Sequence, residues 1–235
     1  MVRFTFDDLI AVMARLRGPG GCPWDREQTH ASLLPYLLEE THEVIDAVGR
    51  NDAVALREEL GDLLLQVVFH AQMAAEAGGF TAGDVVDGLI RKLLERHPHV
   101  FGDARLGTPG EVLARWHELK QREAPHRGAF EGIPATLPAL ARAQKLVERA
   151  AVGAAEATRA AGTVAGARPA TEAAAAEVRR RLDRLADTAG ADAARERLGD
   201  LLLAVVALAS AAGVDAESAL REAGERFVAA HGAAR

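Results

Sequence analysis

One cysteine, Cys22, occurs in 235 residues. A lone thiol excludes an internal disulfide framework and any zinc site built on cysteine pairs. Aromatic residues are 4% of the chain while 49% is apolar, so the core material is aliphatic and alanine-rich. No run of about 18 uncharged apolar residues is present to span a bilayer. The N-terminus lacks a charged segment followed by an apolar one, so no signal peptide is expected. Long Lys/Arg runs are missing and the net charge is −6, which argues against nucleic-acid and membrane-surface partners. The expectation is a soluble, cytoplasmic protein. Walker A, dinucleotide-fingerprint and Ser or Cys nucleophile signatures are also absent, so any phosphate chemistry would rest on a metal and water.

The pattern that is present is helical almost throughout, and the predicted fold class is an all-α helical bundle. Thr5 with Asp8 opens a helix to about Leu16. A glycine-rich loop, Gly18 to Asp25, follows. Helices are then expected over about Ser32–Val48, with Pro35 tolerated in its first turn, and over Ala53–Ala77, stopped by Gly78-Gly79. A fourth starts at Thr81 with Asp84 and ends near His97-Pro98. The run Thr108-Pro109-Gly110-Glu111 is a capping box with Pro at the first helical position, opening a fifth helix to about Glu123.

Two acidic clusters stand out. Glu40 and Glu43 are three residues apart, as are Glu59 and Asp62, a spacing that stacks two side chains on one helix face. Both pairs lie in apolar runs, Leu33 to Val48 and Leu56 to Val68. A turn at Gly49-Arg50-Asn51-Asp52 would fold the helices antiparallel and bring the four acids together. Converging carboxylates repel and lose hydration, so they need a cation. Oxygen-only ligands favour a hard ion, Mg2+ or Mn2+. The competing readings are a solvated acidic face and a di-iron bundle. The second requires two Glu-x-x-His motifs, and only Glu39 with His42 supplies one.

Further candidates lie downstream. Lys92 and Arg96, four apart, either complement a helix dipole or supply cations to a phosphate. Trp116 and Lys120, also four apart, read as core and surface or as an aromatic plane and a further cation. His97 and His99 flank Pro98 and read as metal ligands or, in preference, as a helix-ending turn.

The chain also repeats itself. Leu60-Gly61-Asp62-Leu63-Leu64-Leu65 recurs as Leu198-Gly199-Asp200-Leu201-Leu202-Leu203, each followed by a Val-Val pair. Gly79-Phe80-Thr81-Ala82 is echoed by Gly213-Val214-Asp215-Ala216, which aligns Lys92 with Arg226. Arg197 stands where the first copy has Glu59, and Arg181 and Arg184 are the expected counterparts of Glu40 and Glu43, within a few residues. The predicted organisation is a catalytic domain over residues 1–123, a linker over 124–138 holding Pro125, Pro134, Pro138, Gly128 and Gly132, and a degenerate second copy over 139–235. An Ala/Gly-rich connector, poorly ordered or weakly helical, is expected near 150–176.

The combination Glu39-Glu40-x-x-Glu43 with Glu59-x-x-Asp62 resembles the signature of the MazG nucleoside triphosphate pyrophosphohydrolases. Gly21-Cys22-Pro23-Trp24-Asp25, Arg96-His97-Pro98-His99-Val100-Phe101 and Trp116-His117-Glu118-Leu119-Lys120 strengthen the resemblance, which is dense from Thr5 to Arg149. It implies an all-α, dimeric enzyme, often of tandem domains, that hydrolyses the α–β bond of nucleoside triphosphates to monophosphate and pyrophosphate. It further implies that Glu40, Glu43, Glu59 and Asp62 hold Mg2+, with Mn2+ as a substitute. Lys92, Arg96 and Lys120 would meet the phosphates and Trp116 the nucleoside. Glu39 or Glu43 would be the base for the attacking water. A narrow-substrate relative, of dUTPase-like or phosphoribosyl-ATP type, and a non-catalytic scaffold are the alternatives.

Overall fold

The computed structural model describes residues 3–112, 115–116, 119, 128, 130–160 and 167–232, with side chains of 154–169 left aside. The fold is all-α; no strand occurs among the described residues. The chain divides into two compact units, Met1–Gln121 and Arg122–Arg235.

The first unit contains α1 (Phe6–Arg17), α2 (Pro23–Glu27), α3 (Leu34–Gly49), α4 (Ala53–Glu76), α5 (Ala82–Arg96) and α6 (Pro98–Phe101). The helix starts follow the expected chemistry. Thr5 and Thr81 each close a full capping box with the aspartate three residues on, and those hydrogen bonds hold Asp8 and Asp84 below the usual carboxylate range. Thr108 and Glu111 exchange the same bonds; the rest of the expected fifth helix falls largely outside the described residues. One expectation needs correcting. The loop after α1 ends at Cys22, and Pro23 starts a short helix, because its missing N–H and fixed φ suit the first helical position. Within that loop Gly21 packs so closely on the end of α1 that a Cβ would fall 2.1 Å from the Leu16 carbonyl oxygen.

Between α3 and α4 the chain turns in three residues. Asn51 adopts φ +54°. The Asn51 N–H donates to the Val48 carbonyl and the Asp52 N–H to that of Ala47, both at 3.0 Å, a Schellman ending. Asp52 then accepts from the N–H groups of Val54 and Ala55 as the N-cap of α4. One residue in the left-handed region thus ends one helix while its neighbour starts the next.

Met13, Leu33, Val68, Phe69 and Met73 form the core that joins α1, the start of α3 and α4. Arg17, 8% exposed, sits beside it. Its guanidinium makes a bidentate pair with Glu76 (2.8–3.0 Å), donates to the carbonyls of Asp25 and Gln28, and lies 5.4 Å from the Phe69 ring centroid. A single side chain thereby ties α1, α2 and α4.

His30, in the turn before α3, meets His70 on α4, with Nδ1 atoms 2.7 Å apart. The ring centroids are 5.0 Å apart and the planes differ by 10°. The centroid separation exceeds the nitrogen separation by about twice a ring radius, so the imidazoles lie end to end and share one N–H···N bond. Burial first, and His30 second, hold His70 below its ordinary 6.5. A histidine so depressed binds fewer protons folded than unfolded, so its contribution to stability is present above 6.5 and lost as pH falls through the lowered value. Denaturant unfolding at about pH 7.5 and pH 5.5 is expected to show a loss on acidification that His70→Gln reduces. An equal loss in the variant would remove His70 from the account.

The second unit contains α7 (Ala139–Ala160), α8 (Ala167–Ala186), α9 (Ala191–Ala211) and α10 (Ala216–His231). Helix therefore continues well into the expected 150–176 connector from both sides, because its alanines favour helix; residues 161–166 are outside the description. Gln144 links α7 to the α9–α10 corner, accepting from the Ala216 N–H at 2.8 Å and donating to the Val214 carbonyl at 3.2 Å. The buried side chains here are small, chiefly Val206 and Ala204.

Candidate active site

The α3–α4 hairpin sets the site by arithmetic. Glu43 and Glu59 each lie eight residues from Asn51, and Glu40 and Asp62 each lie eleven. An antiparallel fold about Asn51 brings Glu43 opposite Glu59 and Glu40 opposite Asp62. Oxygens of Glu40, Glu43 and Glu59 all lie within 4.8 Å of one another. Glu40 is pushed above its usual range by burial first, then by Asp62, Glu43, Glu59 and Glu39. Glu59 is raised by desolvation first, then by Glu43 and Asp62, and it shares a hydrogen bond with Glu43. Asp62 belongs to the cluster through its charge. Two acids that hold protons more tightly than normal are what converging, partly desolvated like charges produce, and a cation placed among them would reverse the effect. The donor set is carboxylate oxygen alone, half-buried at Glu40 and Glu59 and open at Glu43, which fits a hard divalent ion with several coordination places left for water or substrate. It is the one such group among the described residues.

Glu39 is exposed, adjoining Glu40 on α3. One turn earlier, Tyr36 meets Trp24 edge to face, centroids 5.9 Å apart, and the two residues are 40% and 50% exposed. The sequence marks only half of this pair, since Tyr36 lies four residues before Glu40 while Trp24 comes from a separate element.

Lys92 is exposed on α5, and Arg96 ends the same helix half-buried. The Arg96 guanidinium lies 5.4 Å from the Trp116 ring centroid. The expected phosphate ligand and the expected base platform are therefore in contact with each other. Beside them is an open cavity of about 460 Å³ lined by Leu106, Gly107, Thr108, Pro109, Val112 and Trp116. Lys120 lies outside the described residues. His97 and His99 act as the turn requires, His97 Nδ1 meeting the Leu93 carbonyl at 2.7 Å. Cys22 is a free, half-buried thiol.

Residues 28–101, which include the whole carboxylate hairpin, match the family model described as the MazG nucleotide pyrophosphohydrolase domain. The chain is 45% identical over 230 residues to a protein of Escherichia coli (strain K12) named nucleoside triphosphate pyrophosphohydrolase, covering 94% of this chain and 83% of that one. A Thermotoga maritima protein named nucleoside triphosphate pyrophosphohydrolase/pyrophosphatase MazG is 40% identical over 225 residues, covering 95% of this chain and 82% of its own. A Mycobacterium tuberculosis nucleoside triphosphate pyrophosphohydrolase is 46% identical over 145 residues, 61% of this chain and 44% of that protein.

Proposed function

The chain belongs to the MazG nucleotide pyrophosphohydrolase family, and from that premise we propose that its first unit hydrolyses the α–β bond of nucleoside triphosphates to the monophosphate and pyrophosphate. The convergence of Glu40, Glu43 and Glu59 across the hairpin, with Asp62 beside them, is the observation that carries this reading. We assign these four carboxylates to Mg2+, with Mn2+ as a substitute, because the donors are all hard oxygens. Bound there, the ion would polarise the phosphate oxygens and ease deprotonation of a water.

The remaining roles belong to the chain. In the reaction a water oxygen bonds to one of the two phosphorus atoms of the α–β bridge, the bond from that phosphorus to the bridging oxygen breaks, and monophosphate and pyrophosphate separate. The water's proton goes to a carboxylate. Glu43, turned onto Glu59, is taken up in the cluster, so the exposed Glu39 is the better base. Lys92, Arg96 and Lys120 balance the triphosphate charge, which the metal among four carboxylates does not neutralise alone. The Arg96–Trp116 contact couples phosphate grip to base contact, and the Tyr36–Trp24 pair offers a second aromatic surface one turn from Glu40. We further propose that the chain is a homodimer. Leu60, Leu64 and Val67 form an exposed stripe along α4, and a second copy would cover it.

The test is product analysis with a panel of triphosphates and Mg2+. Monophosphate and pyrophosphate are expected; diphosphate and orthophosphate would sink the assignment. Turnover of one triphosphate alone would point to a narrow-substrate enzyme. In the same assay Arg96→Ala should lower kcat/KM about tenfold or more, since a charge-assisted contact is worth roughly 1.5–3 kcal/mol. Trp116→Ala should weaken nucleotide binding more than inorganic triphosphate binding. Parent-like kinetics in Arg96→Ala would make that residue a helix-end charge only.

A further inference from the structure

The second unit carries the same hairpin with its charge reversed, and its contacts settle which residues correspond. Arg181 on α8 pairs with Asp200 on α9 (3.4 Å), and Nη1 of Arg197 reaches the Arg184 backbone carbonyl. These are the same two cross-hairpin pairs as Glu40 with Asp62 and Glu43 with Glu59. Glu43 and Glu59 are sixteen positions apart, Arg184 and Arg197 thirteen, so the second hairpin is shortened by three residues and keeps its crossing register. Arg181, Arg184 and Arg197 therefore occupy the places of the three carboxylates that cluster in the first unit.

These three guanidiniums are not equally neutralised. Arg181 is held by Glu177 (2.6 Å) and Asp200, and Arg180 is held by Glu177. Among the described residues Arg197 meets only neutral acceptors, the Arg184 carbonyl and the Thr188 hydroxyl at 2.7 Å. The Arg184 side chain has no hydrogen-bond or ion-pair partner among the described residues, its neighbours Asp183 and Asp187 included. Both Arg184 and Arg197 are exposed. Arg184 and Arg197 stand at the facing positions that Glu43 and Glu59 hold in the first unit, and Arg197 ends on the Arg184 backbone, so both residues belong to one end of the hairpin. Both guanidiniums stand in water and need no counter-ion to do so, but two like charges held at facing positions favour an anion that bridges them.

We propose that the α8–α9 hairpin is an anion site for a polyvalent phosphate, with Arg184 and Arg197 as its ligands. Guanidinium forks match tetrahedral oxyanions in geometry, and an anion of at least two charges balances the pair where a single carboxylate would not. The site is built from other residues than the hydrolytic carboxylates and needs no metal.

The test is calorimetric titration of pyrophosphate into the full chain in excess EDTA, with ATP and orthophosphate as further arms. Saturable binding is expected, weakened tenfold or more by Arg184→Ala, a substitution that removes no intramolecular bond and so leaves the fold intact. Arg197→Lys should weaken it less than Arg197→Ala, since it keeps the charge and loses the fork. Hydrolysis with Mg2+ in Arg184→Ala should match the parent. Equal binding of ATP and pyrophosphate would identify the polyphosphate tail as the recognised element, and binding of pyrophosphate alone the free product. Absence of saturable binding in the parent, or parent-like affinity in Arg184→Ala, overturns the proposal.

Discussion

Glu59→Gln is expected to abolish turnover while raising the melting temperature of the metal-free protein. Removing one of four converging oxygen donors should reduce kcat/KM by more than the roughly 10–100-fold typical of losing a ligand's outer support. The stability effect has the opposite sign for a reason visible in the hairpin. Glu40 and Glu59 titrate above their ordinary 4.5. For a carboxylate so raised, stability is fully present below 4.5 and lost as pH rises through the elevated folded value. Near neutral pH the ionised cluster therefore opposes folding. Glu59→Gln relieves that repulsion without changing volume, so with EDTA at pH 7 it should melt above the parent, and the two should converge below about pH 4.5. Mg2+ should stabilise the parent, by about 2.7 kcal/mol at a hundredfold excess over Kd, and the variant far less. Parent-like activity, or an undiminished Mg2+ shift, would remove Glu59 from the metal site.

Arg17→Ala should be among the most destabilising substitutions in the first unit, although Arg17 is remote in sequence from the acids. Its side chain is 8% exposed and satisfies Glu76 and two carbonyls at once. Truncation leaves the Asp25 and Gln28 carbonyls without that donor and Glu76 without its counter-ion. Losing one partner of a buried pair costs about 3–5 kcal/mol; Glu76 is 37% exposed and can rehydrate, so about 2–3 kcal/mol is expected. Denaturant unfolding monitored on the first unit measures it. Arg17→Lys should recover only part, since an ammonium cannot bridge both carboxylate oxygens and the carbonyls. Glu76 is held below its ordinary 4.5, chiefly by its hydrogen bond to Arg17. That contribution is present above 4.5 and lost as pH falls through the lowered value, so the gap between parent and Arg17→Ala should narrow in acid. A gap that stays constant would mean that packing on Phe69, not the ion pair, holds the corner.

The sequence by itself determined what depends on neighbours along the chain. Capping boxes at Thr5, Thr81 and Thr108 join residues three apart, and helix period places Glu40 over Glu43 and Glu59 over Asp62 within each helix. Gly78, at φ +74°, and Asn51 mark ends that only left-handed backbone allows without strain. The all-α class and the hairpin follow from these local terms. Tertiary structure decided which faces meet. The pairing of Glu43 with Glu59 depends on turn length and helical phase together, and in the second unit only the contacts of Arg181 with Asp200 and of Arg197 with the Arg184 carbonyl show which positions face each other. Arg17 with Glu76, fifty-nine positions apart, His30 with His70, forty apart, and Arg96 over Trp116 carry no periodic signal. Each joins side chains from separate elements, and the packing of α1, the loops and α5 around α4 chooses those partners, which no spacing rule along the chain encodes.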